Sequence, residues 1–223
     1  MKDLLFSMFV IFSLSAAAYA QDRGPFYPMQ SGTVLEYTST NVSDQSKYYI
    51  VQTINYVQNN DSVRCTCYTI QLTDRKHKSL QKPFSLTSAV DGETVKVYPL
   101  NFIGSPAYGE IRVSGDGVQL PGQLRPGQKL GNGYVIINQG PVKTRVNISN
   151  RHIVAYEPVK VAAGKYPCFK IEETHETTYA GLCKRYTVYN WYAEGIGLVK
   201  STTYDNARKC VSNQELVKVK GKK

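Results

Sequence analysis

The chain has 223 residues, the size of one ordinary domain or a β-rich pair of lobes. Apolar residues make up 42% and charged residues 20%, which is enough to bury a core and excludes a disordered chain. The net charge is +10, but the cations are scattered rather than interleaved with stacking aromatics, which argues against nucleic acid as a partner.

Met1 and Lys2 lead into an apolar stretch over 4–14, followed by Ala18-Tyr19-Ala20. A basic start, a short apolar core and a small-x-small ending are the pattern of a secretory signal peptide. The expectation is a segment 1–20 cleaved after Ala20, and a mature chain exported to the periplasm or beyond. After residue 20 no apolar run approaches the ~20 residues of a helical membrane span.

From there the pattern is β. Candidate strands are 34–40, 47–57, 63–73, 85–90, 93–99, 111–114, 118–120 and 134–137. They continue at 143–156, 166–178, 184–192, 198–204 and 215–219. All are rich in β-branched and aromatic residues, which fit a pleated, half-buried surface. Turn chemistry separates them: Asp91-Gly92, Gly115-Asp116-Gly117, Gly131-Asn132-Gly133 and Gly195-Ile196-Gly197. Only 75–80 and 206–216 could hold a short helical turn. The predicted fold class is all-β, a single domain over 21–217 built from an antiparallel curved sheet as a half-barrel, sandwich or barrel. Residues 218–223 carry four Lys and read as a basic flexible tail.

Five cysteines, Cys65, Cys67, Cys168, Cys183 and Cys210, leave at least one thiol unpaired. Cys65 and Cys67 share one strand face, a spacing that suits neither a zinc site nor a redox loop. They read as small core residues, and a Cys168–Cys183 or Cys67–Cys210 bridge stays open. Glu173 and His175 share a face, too few ligands for a metal, so they read as the exposed polar end of a hairpin. No metal and no cofactor is expected.

The hairpin over the last third takes a register in which Thr177 faces Cys183. That sets Ile171 opposite Tyr189, Phe169 opposite Trp191, and Glu176 opposite Lys184. Apolar pairs at the base and a charge pair at the tip suit a half-buried ladder.

Two stretches are distinctive together: 158–171, Pro-Val-Lys-Val-Ala-Ala-Gly-Lys-Tyr-Pro-Cys-Phe-Lys-Ile, and 191–200, Trp-Tyr-Ala-Glu-Gly-Ile-Gly-Leu-Val-Lys. With the opening at 29–38 and the Pro/Gly-rich middle at 120–130, they resemble the TapB-like family of secreted Bacteroidetes proteins of unknown function. Ala162 departs from that pattern, which commonly has Pro there. The resemblance implies an exported antiparallel β fold and carries over no catalytic residue. Read on their own chemistry, Ala163-Gly164-Lys165 makes a tight turn, while Trp191 and Tyr192 supply large buried area. Gly195 and Gly197 permit positive φ or close approach.

No nucleophile elbow, zinc-protease helix or phosphate-cradling loop occurs, and the 17 Asp and Glu nominate no pair. The expectation is a non-enzyme that acts as a protein-interaction or envelope accessory module. The alternative is a carrier of an apolar or amphipathic small molecule in a β-lined cavity. Tyr37, Phe169, Tyr189 and Trp191 are the candidate core or pocket-lining residues. The partners expected are therefore such a small molecule or an envelope protein.

Overall fold

The computed structural model describes residues 25–60, 63–92, 94–99 and 110–221. The expected signal segment 1–20 and its expected cleavage point lie outside them. Strands β1 (Val34–Asn41), β2 (Lys47–Asn60), β3 (Val63–Thr73), β4 (Phe84–Asp91), β5 (Thr94–Val97) and β6 (Ile111–Leu120) form the first half. Strands β7 (Gly133–Gln139), β8 (Val142–Val161), β9 (Gly164–Tyr179), β10 (Leu182–Ala193), β11 (Gly197–Tyr204) and β12 (Cys210–Lys220) form the second. Each pairs antiparallel with the next, and β12 returns to β1, so the sheet closes into a barrel. The expectation of an antiparallel all-β domain is met by its barrel form. No helix occurs among the described residues, so 75–80 and 206–216 hold no helical turn.

Closure changes the reading of the C-terminus. Lys218, Glu36's partner, and Lys220, which faces Val34, lie within β12, and Lys220 Nζ sits 3.0 Å from Glu36 Oε1. Residues 218–220 are therefore wall rather than flexible tail, because β1 needs a second neighbour to satisfy its outward N–H and C=O groups.

Alternation fixes which side is inside. On β1, Leu35 and Tyr37 are buried; on β2, Ile50 and Ile54; on β3, Tyr68, Ile70 and Leu72. Each buried aliphatic side chain contributes about 1.5–3 kcal/mol. On β9, Ile171, Glu173 and His175 point inward while Lys170, Glu172 and Glu176 alternate outward. An apolar inside and a charged outside are the reverse of a barrel whose wall faces lipid.

The two stretches singled out in the sequence close one end. The turn at Ala162 and Ala163 folds toward β12, with Ala163 N–H donating to the Leu216 carbonyl at 3.4 Å. The Gly195 N–H donates to the Pro25 carbonyl at 3.0 Å. Phe26 then packs edge-on against Phe169 at 5.7 Å, with Tyr156 on the other side at 4.6 Å. Gly195 and Gly197 do take positive φ, 65° and 87°.

Gly115-Asp116-Gly117, read as a turn, instead lies inside β6 as a bulge between Ser114 and Gly117. The reason is a close backbone crossing: a Cβ on Gly133 would collide with the Gly117 carbonyl. Glycine permits the approach that other residues would block.

The β9–β10 register differs by one residue from the expectation. Cys183 faces Thr178, Asn190 faces Ile171, Trp191 faces Lys170 and Tyr192 faces Phe169. A two-residue turn causes this: Ala180 and Gly181 both take positive φ, 47° and 77°, the type I′ geometry that matches strand twist.

Candidate functional site

The slipped register puts Asn190 inside, and it meets an ionic cluster there. Arg151 of β8 and Glu173 of β9 pair at 2.8 Å (Nε to Oε1), both side chains wholly buried. Arg151 Nη1 also donates to the carbonyls of Gly131 at 2.7 Å and Gln119 at 3.1 Å. Glu173 Oε2 takes His175 Nε2 at 3.0 Å and accepts from Asn190 Nδ2 at 2.9 Å. Burial pushes the Glu173 carboxyl up, but the His175 hydrogen bond and the Arg151 charge outweigh it and hold the group down at about 2.

A bulge delivers Arg151 to this place. Val146 and Ile148 point inward, Asn150 turns at φ 52°, and the register shifts between Ser149 and His152. The parity of β8 is thereby reset so that Arg151 and Ile153 face in. The 121–132 connection pins that stretch from outside, through Leu130 N–H to the Arg151 carbonyl at 2.8 Å and Gly127 N–H to the Ile153 carbonyl at 2.7 Å. His175 is thus buried rather than at an exposed hairpin end. No group of three His, Cys, Asp or Glu positioned for a metal occurs among the described residues. Both Glu173 carboxylate oxygens are engaged. The cluster ties β8, β9 and β10 together, while Arg151 Nη2 and Asn190 Oδ1 stay buried without a partner.

Beside the cluster lies a small cavity of about 40 Å³, lined by Tyr27, Tyr37, Tyr68, Tyr98 and Tyr192 with Gln52 and Gln214. At ~15 Å³ per water-sized sphere this holds about three waters and no acyl chain. Gln52 Nε2 donates to the Tyr27 hydroxyl at 2.7 Å, while Gln214 Oε1 has no partner. Burial raises the hydroxyls of Tyr37 and Tyr192 well above their ordinary range and pushes Tyr68 up to about 12.

On the outside of the same wall, Tyr189 of β10 lies 6.3 Å from Trp191 and 5.9 Å, edge-on, from Tyr204 of β11. Lys170 Nζ sits over both Tyr189, at 4.5 Å, and Trp191, at 5.0 Å, a cation–π arrangement. The indole Nε1 donates to Glu157 Oε1 at 2.7 Å. All five cysteines are free. Cys183 stands ten residues along β9 from Cys168 in the ladder, about 33 Å away, so the Cys168–Cys183 bridge cannot form. Burial pushes the Cys168 thiol up to about 12.

Residues 30–216 match the DUF3108-like family, most of the chain. The chain belongs to the DUF3108-like family. The match does not carry the TapB-like label suggested by the two motifs. Two solved structures share the fold of this DUF3108-like chain. One is a protein from Bacteroides fragilis described as exported and of YmcC-like fold: TM-score 0.78, 19% identity, covering 88% of this chain and 99% of the other. The second is a protein from Parabacteroides distasonis described as a lipoprotein: TM-score 0.77, 15% identity, covering 90% and 100%. At these identities the likeness extends to the fold alone. Among curated proteins, none matches the chain.

Of the four residues nominated from the sequence of this DUF3108-like chain, Tyr37 lines the cavity and Phe169 is buried in the core against Phe26. Tyr189 and Trp191 alternate with the buried Val188, Asn190 and Tyr192, so they face outward and do not line that cavity. Sequence reasoning missed Arg151, because a lone Arg in a strand reads as solvated. Its signal was the broken alternation around Asn150, which only a bulge explains.

Proposed function

We propose that this chain is an exported, non-enzymatic accessory protein of the cell envelope that works by contact with another envelope protein, through the outer wall bearing Tyr189, Trp191 and Tyr204. One observation carries the reading: the tyrosine-lined cavity has room for only about 40 Å³, whereas three aromatic rings lie on the outer face. Aromatic side chains are the residue types that anchor protein interfaces. The absence of catalysis in this reading rests on the fully engaged Glu173. Export rests on the signal pattern of 1–20. A photo-crosslinker at position 189 tests it. A stoichiometric envelope polypeptide should be captured, and Trp191, the single Trp, should change its emission when that polypeptide binds. No captured partner together with unchanged emission in envelope extract would sink the reading.

One observation favours a second reading, a carrier of a small apolar or amphipathic molecule. The cavity is lined by five tyrosines and holds the unpartnered Gln214 Oε1. A ligand larger than a few atoms would require the walls to part. Native mass spectrometry of protein purified from its own envelope decides between the two: a co-purifying lipid supports the carrier and counts against the contact module.

A further inference from the structure

The up-and-down path places every second connection at the same end of the barrel: those after β1, β3, β5, β7, β9 and β11. Cations that are scattered in sequence gather there. The connection after β3 carries Arg75, Lys76, Lys78 and Lys82, all exposed, and that after β11 carries Arg208 and Lys209. Lys47, Arg112, Lys143 and Lys184 stand exposed in the first three residues of β2, β6, β8 and β10, at this same end. Four carboxylates oppose these ten cations. Asp74 accepts the N–H groups of Lys76 and Lys78, and Asp205 those of Ala207 and Lys209. Glu110 pairs with Arg112, and Asp44 accepts the Ser46 N–H. An excess of six positive charges remains.

The tip of the β9–β10 hairpin lies at this same end. Tyr179 and Leu182 face each other across its two-residue turn and are 46% and 64% exposed. Neither belongs to the hydrophobic core. Cations at this end with an exposed aromatic and an exposed aliphatic side chain among them match an anionic bilayer. Phosphates meet the Lys and Arg, while the ring and the isobutyl group enter the headgroup layer. A nucleic acid or another soluble polyanion would use the charges and leave Leu182 idle.

We propose that this end of the barrel docks on the surface of an anionic lipid bilayer, with Tyr179 and Leu182 as the inserting pair and the basic rim as the electrostatic attraction. The proposal is independent of the aromatic wall on β9–β11.

Co-sedimentation of residues 21–223 with vesicles tests it, using vesicles of phosphatidylglycerol and phosphatidylethanolamine against vesicles of phosphatidylcholine alone. The wild type should bind the anionic vesicles, lose most binding in 0.5 M salt, and leave phosphatidylcholine vesicles unbound. The double variant Tyr179→Ser/Leu182→Ser and the variant Lys76→Glu/Lys78→Glu should each bind at least fivefold more weakly. Far-UV circular dichroism checks that both variants keep the β fold; the altered side chains are exposed, so folding should be unaffected. If the wild type ignores anionic vesicles, or if the Tyr179/Leu182 variant binds them as well as the wild type, the proposal is overturned. Equal binding of that variant and the wild type to soluble polyphosphate, with no vesicle difference, would reassign the rim to soluble polyanions.

Discussion

Arg151 and Glu173 sit 22 residues apart in sequence and 2.8 Å apart in space, with neither side chain reaching solvent. A buried pair of this kind is costly to desolvate but far costlier to break, since removing one partner strands a charge. Arg151→Met should destabilise the protein by about 3–5 kcal/mol, read from urea unfolding. Arg151→Met combined with Glu173→Met should cost less than the two single changes together. Additive losses would show that the two groups do not act as a pair.

The same carboxylate sets an acid limit. Glu173 is held at about 2 in the folded state, below the ordinary 4.5. A depressed folded value means that its stabilisation is fully present above pH 4.5 and is lost as pH falls toward 2. The difference is on the order of 3 kcal/mol. Urea midpoints of wild type and Glu173→Gln measured from pH 7 down to pH 2.5 should converge on acidification; a constant gap would refute the assignment.

At the alkaline side the sign reverses. Tyr68 is raised to about 12 by burial, and Tyr37 and Tyr192 are raised further. Their contribution is complete below pH 10 and is lost as pH climbs through the folded-state values. Absorbance at 295 nm should show one class of tyrosines ionising near pH 10 and a second class ionising only as the protein unfolds. A single smooth transition near 10 would contradict the buried set.

Two neighbouring glycines should respond oppositely to a methyl group. Gly133→Ala drives a Cβ into the Gly117 carbonyl, whereas Gly131→Ala meets nothing within 4 Å. The first should cost more than about 3 kcal/mol and the second less than about 0.5. Thermal unfolding of the two variants side by side decides it.

Thiol chemistry should sort by position. Cys183 is exposed at the hairpin tip while Cys168 is buried with its thiol raised to about 12. A chromogenic disulfide reagent should label Cys183 within minutes and leave Cys168 until denaturant is added, because the thiolate is the reacting form. Equal rates measured by peptide mapping would show that the β9 core is more open than described.

Most of the strands were legible, because glycine- and Asn/Asp-containing turns bracket β-branched runs such as Val63–Thr73, whose bounds match the expectation. Register was not. Pairing Phe169 with Trp191 assumed that the bulky apolar residue faces the core, whereas Asn190 takes the inward place because Glu173 supplies a hydrogen-bond acceptor there. Polar residues lose the presumption of exposure once a buried partner waits on the next strand, and no local pattern announces that partner. The basic rim illustrates the same limit: Lys47, Arg75 and Arg208 are neighbours only through the closed topology.

That topology also has a temporal side. The seam of the barrel joins β1, the first strand of the barrel, to β12, the twelfth, so β1 keeps a raw edge until β12 has been made. A chain that stops short of β12 therefore cannot complete the cylinder. Maturation becomes a single late zippering event rather than a gradual accretion.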